Sequence, residues 1–232
     1  IASLSLGLLL FASSRAPAQV DVGDFTIRGE AEVGGMPRHR NGDRGKFEEY
    51  RDVPETLVVP YLELFIDSKK KDFYLEFDSS KVGRNDQNYR MRFGRYGLLD
   101  VEFEWDQIPH RFNVDTARTP YLRSNDGGTL TLPSRPTPIT LGTNCTVNTV
   151  CDWVNRTAQP VDLSLYNGIA RFKVRYTPTP GWSFTGNYGS NNNSGSRAFG
   201  TLFGTSPGNY NITELVEPIS YNKHNVELGG EY

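Results

Sequence analysis

The sequence predicts an all-β protein: about eight strands of a larger antiparallel, up-and-down transmembrane β-barrel, preceded by a signal peptide. Three observations carry this. The strands alternate large apolar residues with charged ones, the connections between them sort into short and long sets, and the chain opens with an export signal.

Taken in order, the chain begins IASLSLGLLLFASSRAPAQVDVG. An apolar run of about a dozen residues ending in Ala16-Pro17-Ala18 fits the h-region and small-residue cleavage site of a secretory signal. The run is too short for a membrane-spanning helix, which needs roughly 20 apolar residues. Residues 1–18 are therefore expected to be removed, leaving Gln19 as the mature N-terminus and 19–232 as the barrel portion. The basic start of the signal is expected to precede Ile1.

Strands are predicted at 24–33, 56–67, 72–80, 88–96, 99–106, 168–177, 182–190 and 219–232, where the hydrophobic period is two rather than 3.6. Most approach the 9–11 residues of a tilted membrane-spanning strand. The connections 68–71, Gly97-Leu98 and 178–181 are short, whereas 34–55, 81–87, 107–167 and 191–218 are longer. If the N-terminus is periplasmic, all the short ones fall on one side. That is the rim asymmetry of outer-membrane barrels.

The segment LDVEFEWD shows the alternation best: Leu99, Val101, Phe103 and Trp105 on one face, Asp100, Glu102, Glu104 and Asp106 on the other. In the preceding strand Tyr89, Met91 and Phe93 oppose Arg90 and Arg92. A three-residue loop from Gly97 to Leu99 would set Arg92 opposite Glu104 and Arg90 opposite Asp106, and keep like faces together. In ARFKVRYTPTPGWSFTGNY, Arg171, Lys173 and Arg175 alternate with Phe172, Val174 and Tyr176, and Trp182 and Phe184 continue the apolar wall. Arg90, Arg92, Glu102, Glu104, Asp106, Arg171, Lys173 and Arg175 are thus expected to face the lumen and its contents. Phe93, Val101, Phe103, Trp105, Phe172, Tyr176, Trp182 and Phe184 are expected to face lipid, with Tyr176 and Trp182 in an aromatic girdle beside a short turn.

A net charge of −2 argues against a nucleic-acid partner. Cys145 and Cys151, the two cysteines, suit a small loop disulfide in an oxidising compartment. GDRGKF (42–47) lacks the Ser or Thr of a phosphate loop. Repeated same-face acids, and pairs such as Glu48-Glu49, read as a solvated wall rather than acid–base machinery. His110 reads as a hydrogen-bonding loop residue, and SNDGG (124–128) as a turn rather than a calcium loop. No catalytic constellation, cofactor site or metal site is expected, and the protein is not read as an enzyme.

GKFEEYRDV (45–53), DSSKVGRNDQNYRMRFGRYG (78–97), VEFEWDQIPHRFNVDTARTPY (101–121) and KHNVELGGEY (223–232) resemble, in order, the MtrB/PioB family of outer-membrane barrels. The resemblance runs from about residue 24 onward. It implies a barrel whose lumen sheathes a periplasmic multihaem c-type cytochrome, often with an extracellular cytochrome at the far rim, so that electrons cross the outer membrane along the haems. The barrel itself would supply no redox centre, and the chain has no Cys-x-x-Cys-His haem-attachment site. Family members are much longer, so the chain is expected to be an N-terminal fragment. Some members also carry a Cys-x-x-Cys near the mature N-terminus, which this chain lacks. Two other readings stand beside this one: a general diffusion porin for small solutes, and a secreted β-sandwich that would stay soluble without detergent.

Overall fold

A computed structural model describes residues 14–35, 44–53, 57–68, 70–114, 116–124, 129–134, 145–147, 149–203 and 211–232. The apolar run of the expected signal lies outside the described residues up to position 13, as do 125–128 of the SNDGG turn.

Nine strands form one sheet in which every neighbour is also the next long strand of the chain. They are β1 (Ser14–Val22), β2 (Phe25–Gly35), β3 (Leu57–Ser68), β4 (Phe73–Val82), β5 (Asn88–Arg95), β6 (Leu99–Asn113), β11 (Leu163–Thr179), β12 (Trp182–Phe203) and β13 (Asn211–Glu231). Every pairing is antiparallel and the sheet is open, as a section of an up-and-down barrel would be. The connection from β6 to β11 carries two small ladders: β7 (Arg118–Thr119) with β10 (Gln159–Pro160), and β8 (Leu122–Arg123) with β9 (Leu130–Thr131). It also holds the helix α2 (Val150–Thr157), whose N-cap Thr149 accepts a hydrogen bond from Asp152 N. A four-residue helix, α1 (Arg44–Phe47), lies between β2 and β3.

The side chains alternate along each strand, so register decides which residues share a face. On one face a row runs Leu64, Phe77, Met91, Phe103, Phe172, Tyr188 from β3 to β12. On the other, a row runs Glu63, Asp78, Arg90, Glu104, Arg171. The sheet therefore has one apolar and one polar surface. The apolar surface is open to its surroundings, with Phe172, Phe184 and Val226 all exposed. Pro60 falls at the irregularity where β3 slips against β2, a place a strand can tolerate a residue without an N–H. At Gly168 the backbone must stay bare, because a Cβ there would lie 2.9 Å from the Trp105 indole.

Several expectations change. The sheet gains β1, so it has nine strands rather than eight, and Ala16-Pro17-Ala18 sit within β1. β6, β11, β12 and β13 are longer than predicted, taking in residues read as loop at 107–113 and 191–203. The loop between β5 and β6 is Tyr96–Leu98, one residue earlier than predicted, which moves the register by two. Arg90 therefore lies opposite Glu104 and Arg92 opposite Glu102; the predicted Arg92–Glu104 and Arg90–Asp106 pairs do not form. The cause is Gly97, at φ 72, sitting in a turn closed by Leu98 N donating to Arg95 O at 3.1 Å. A turn that needs positive φ at its third residue places glycine there and so fixes the hairpin. A slip of two leaves every face unchanged.

The rim asymmetry is stronger with β1 included. The connections at 23–24, 69–72, 96–98 and 180–181 lie at one end of the sheet. The strand ends joined by the longer connections, β2 to β3, β4 to β5, β6 to β11 and β12 to β13, lie at the other.

Candidate functional site

The polar face carries a ladder of opposite charges across four strands. Arg90 Nε on β5 is 2.8 Å from Asp78 on β4, and Arg171 on β11 is 3.0 Å from Glu104 on β6. One residue pair nearer the short turns, Lys173 lies 3.5 Å from Glu102 and Arg92 lies 4.0 Å from Glu76. Arg92 also forks onto Asp100, whose cross-strand neighbour on β11 is Arg175. Arg175 donates to Ser183 Oγ at 3.3 Å. Acidic β4 and β6 thus interleave with basic β5 and β11, as cross-strand opposition favours.

All eight residues expected to face inward stand on this face. Seven belong to the ladder, while Asp106 lies opposite Asn88 and Ile169 rather than a cation. Phe93, Val101, Phe103, Trp105, Phe172, Tyr176 and Phe184 stand on the opposite face, with Trp182 stacked on Phe184 and against Tyr232. The ladder's ion pairs are about half exposed, and such pairs contribute roughly 0–1 kcal/mol each. Their collective product is a mixed-charge wall of fixed pattern, which can set the register of a partner more than its affinity.

A second cluster, missed in the sequence, sits at the rim of the long connections. β5 stops at Asn88, and the last contact along that edge of β6 is Gln107 N to Gln87 O at 3.0 Å. Beyond it the segment after α1 takes over: Arg111 N donates to Glu49 O at 2.8 Å, covering an edge otherwise left bare. Arg111 is only 3% exposed, and its side chain donates to Arg51 O at 2.8 Å and lies 3.7 Å from Glu48, itself fully buried. Asp52 is 3.5 Å away, and its other oxygen accepts from Asn85 N at 3.1 Å. Buried Asp86 lies beside it in the chain, held by Lys81 at 2.8 Å and Arg84 at 3.2 Å. His110 is part of β6, not a loop; it stacks on Tyr50 and meets Phe112 at a tilt, with Nε2 3.5 Å from Glu49. The signal was present: every one of these residues lies in or beside EEYRD, GRNDQ and IPHRF. What the sequence hides is that β5 ends early enough for the three to meet.

Cys145 and Cys151 are joined as a disulfide with Cα atoms 4.9 Å apart, tying the first turn of α2 to the chain before it. Among the described residues, no three His, Cys, Asp or Glu side chains are grouped to hold a metal ion, and no helix is long and apolar enough to cross a membrane.

A search of characterised proteins returns no match to the chain. A family model described as "Putative outer membrane beta-barrel porin, MtrB/PioB" matches residues 39–232, spanning the rim cluster, the ladder and every strand from β3 to β13. An open meander with one apolar face and one charged face is what a section of such a barrel requires, and the chain belongs to the MtrB/PioB family of outer-membrane β-barrels.

Proposed function

We propose that the protein sheathes a periplasmic multihaem c-type cytochrome, holding it in the barrel lumen so that electrons cross the outer membrane along its haems. The barrel half of this reading rests on the split between the two faces, and the cytochrome half on the family resemblance together with the mixed-charge wall that the polar face presents. A soluble monomer rarely leaves a contiguous apolar wall this large uncovered. A closed barrel covers it with lipid while satisfying its own backbone hydrogen bonds.

In this reading the polar face lines the lumen, with Arg90, Arg92, Arg171, Lys173 and Arg175 set against Glu102, Glu104 and Asp106 as contacts for the cytochrome surface. The opposite face, from Phe93 and Val101 to Trp182 and Phe184, meets lipid. The short turns lie in the periplasm and the long connections outside, where an extracellular cytochrome would dock. Cleavage after Ala18 would leave Gln19 four residues from the β1–β2 turn, on the periplasmic side. The barrel performs no chemistry and holds no cofactor; it insulates the haems from lipid and seals the membrane around them.

The family description favours a second reading, a general diffusion porin. An affinity pull-down of the full-length tagged protein from detergent-solubilised outer membranes, followed by haem staining, separates the two. The sheath reading expects a stoichiometric c-type cytochrome band. A haem-free barrel that conducts ions in planar bilayers, from cells expressing multihaem cytochromes, overturns it in favour of the porin.

A further inference from the structure

We propose that the outer hydrocarbon boundary of the membrane lies at the cross-strand row through Tyr89, Trp105 and His224. Above it, β6, β11, β12 and β13 continue as a sheet standing in water outside the cell. This rests on the barrel reading above and adds to it the position of the bilayer.

The apolar face changes character abruptly at that row. Below it, β12 presents Tyr188, Phe184 and Trp182, and β13 presents Val226 and Leu228. Above it, the same face of the same strands presents Asn192, Ser194 and Ser196 opposite Asn222, Ser220 and Pro218. On β11, Val174 and Phe172 give way to Ala170, Gly168, Tyr166 and Ser164, and on β6, Trp105 gives way to Gln107, Pro109 and the ion-paired Arg111. From Asn191 to Arg197, β12 is polar or glycine on both faces, a stretch with no use for acyl chains; apolar residues return only farther along, at Phe199 opposite Leu215 and at Leu202.

The row has the composition of an interfacial belt. Tyr89 and Trp105 face each other across β5 and β6, and Tyr188 hydroxyl lies 2.9 Å from His224 Nδ1 with the rings stacked. Amphipathic rings of this kind gather where one end is apolar and the other wet. The opposite belt holds Tyr176, Trp182 and Tyr232 beside the short turns. From Trp182 to Ser190, the residue opposite His224, is about 27 Å of strand at 3.4 Å per residue. A tilt of about 40° projects that to about 21 Å, close to the roughly 25 Å apolar band of outer-membrane barrels.

Strand lengths agree independently. β4 and β5 turn over just past the row, with Ser80 opposite Asn88, whereas β12 runs on from Asn191 to Phe203. That extension measures about 40 Å along the strand. β13, paired along it, is engaged by the β6–β11 connection, with Arg123 donating to Val216 O at 2.6 Å and Tyr121 hydroxyl 3.0 Å from Thr213. The occupant of the lower wall is lipid hydrocarbon, and that of the upper sheet is the headgroup layer and external water.

The test is cysteine accessibility in the full-length protein in its own outer membrane. N192C and S220C report above the row, V226C and L228C below it. Intact cells are treated with a membrane-impermeant biotin maleimide. We expect the first two to label at least tenfold more than the second two. N192C and S220C that label only after detergent place the upper sheet inside the bilayer and overturn the proposal; labelling only after outer-membrane permeabilisation overturns it by reversing the orientation. V226C labelling as strongly as N192C in a protein that still requires detergent for extraction also overturns it, while leaving the barrel intact. Equal labelling of all four in a protein released by salt alone overturns the barrel reading itself.

Discussion

At the scale of the residue, Arg111 is the side chain with most at stake. It neutralises buried Glu48 and the nearby Asp52, and its fork also satisfies the Arg51 carbonyl. Truncating one partner of a buried ion cluster leaves an uncompensated charge, at a cost of roughly 3–5 kcal/mol. R111M is therefore expected to lower the unfolding free energy of the refolded full-length protein, read from denaturant titration, by that order, and R111K by less, because it keeps the charge while losing the fork. Glu49, next in the chain, is tuned differently. The Lys46 ammonium, hydrogen-bonded at 2.9 Å, holds its carboxyl below the ordinary value of 4.5, and His110 acts in the same direction. A carboxylate whose folded pKa is depressed contributes stability above its unfolded pKa and loses it as pH falls through the folded value. The part of this that reports on docking is the contact with His110 on β6, so docking of the 44–53 segment should loosen as the medium is acidified below about pH 4.5, and H110Q should flatten that dependence whereas K46Q, within the segment, should alter it less. Limited proteolysis of that segment against pH measures both.

At the scale of the element, faces were legible in the sequence and register was not, for a definite reason. Alternation has a period of two, so it cannot distinguish pairings that differ by two residues. Arg90 and Arg92 were bound to meet acids on β6, and the Gly97 turn decided which. β1 escaped notice because APAQVDV barely alternates, and the upper half of β12 because NNNSGS is polar on both faces and resembles a loop. α2 is eight residues in a long connection, too short for helical periodicity to stand out. The observed register makes its own prediction. R171E sets two carboxylates opposite each other across β6 and β11, and the exchange E104R/R171E restores an attractive pair. A double-mutant cycle on unfolding midpoints should give a coupling of about 0.2–1 kcal/mol. Pairing E104R instead with R175E, two ladder rungs away, should give no measurable coupling.

At the scale of the whole molecule, the same ladder that adds little to stability sets the electrostatic character of the polar wall. Half-exposed ion pairs leave the fold nearly indifferent to their removal, so the wall can be changed without unmaking the barrel. R171Q/K173Q/R175Q strips β11 of three positive charges and leaves the acids of β6 facing the same space. If a cytochrome occupies that space, altering the wall mainly changes how fast and in what register the partner docks, and how strongly salt competes. The expected result is unchanged yield and heat-modifiable migration of the barrel, with the haem-to-barrel ratio after purification falling several-fold and falling further as wash salt rises. A ratio indifferent to both the substitution and the salt would mean that the β11 wall does not touch the cytochrome. The contact surface would then have to be sought elsewhere around the barrel, with the acid-rich face of β2 to β4, where Glu30, Glu63 and Asp78 share one row, as the next wall to change.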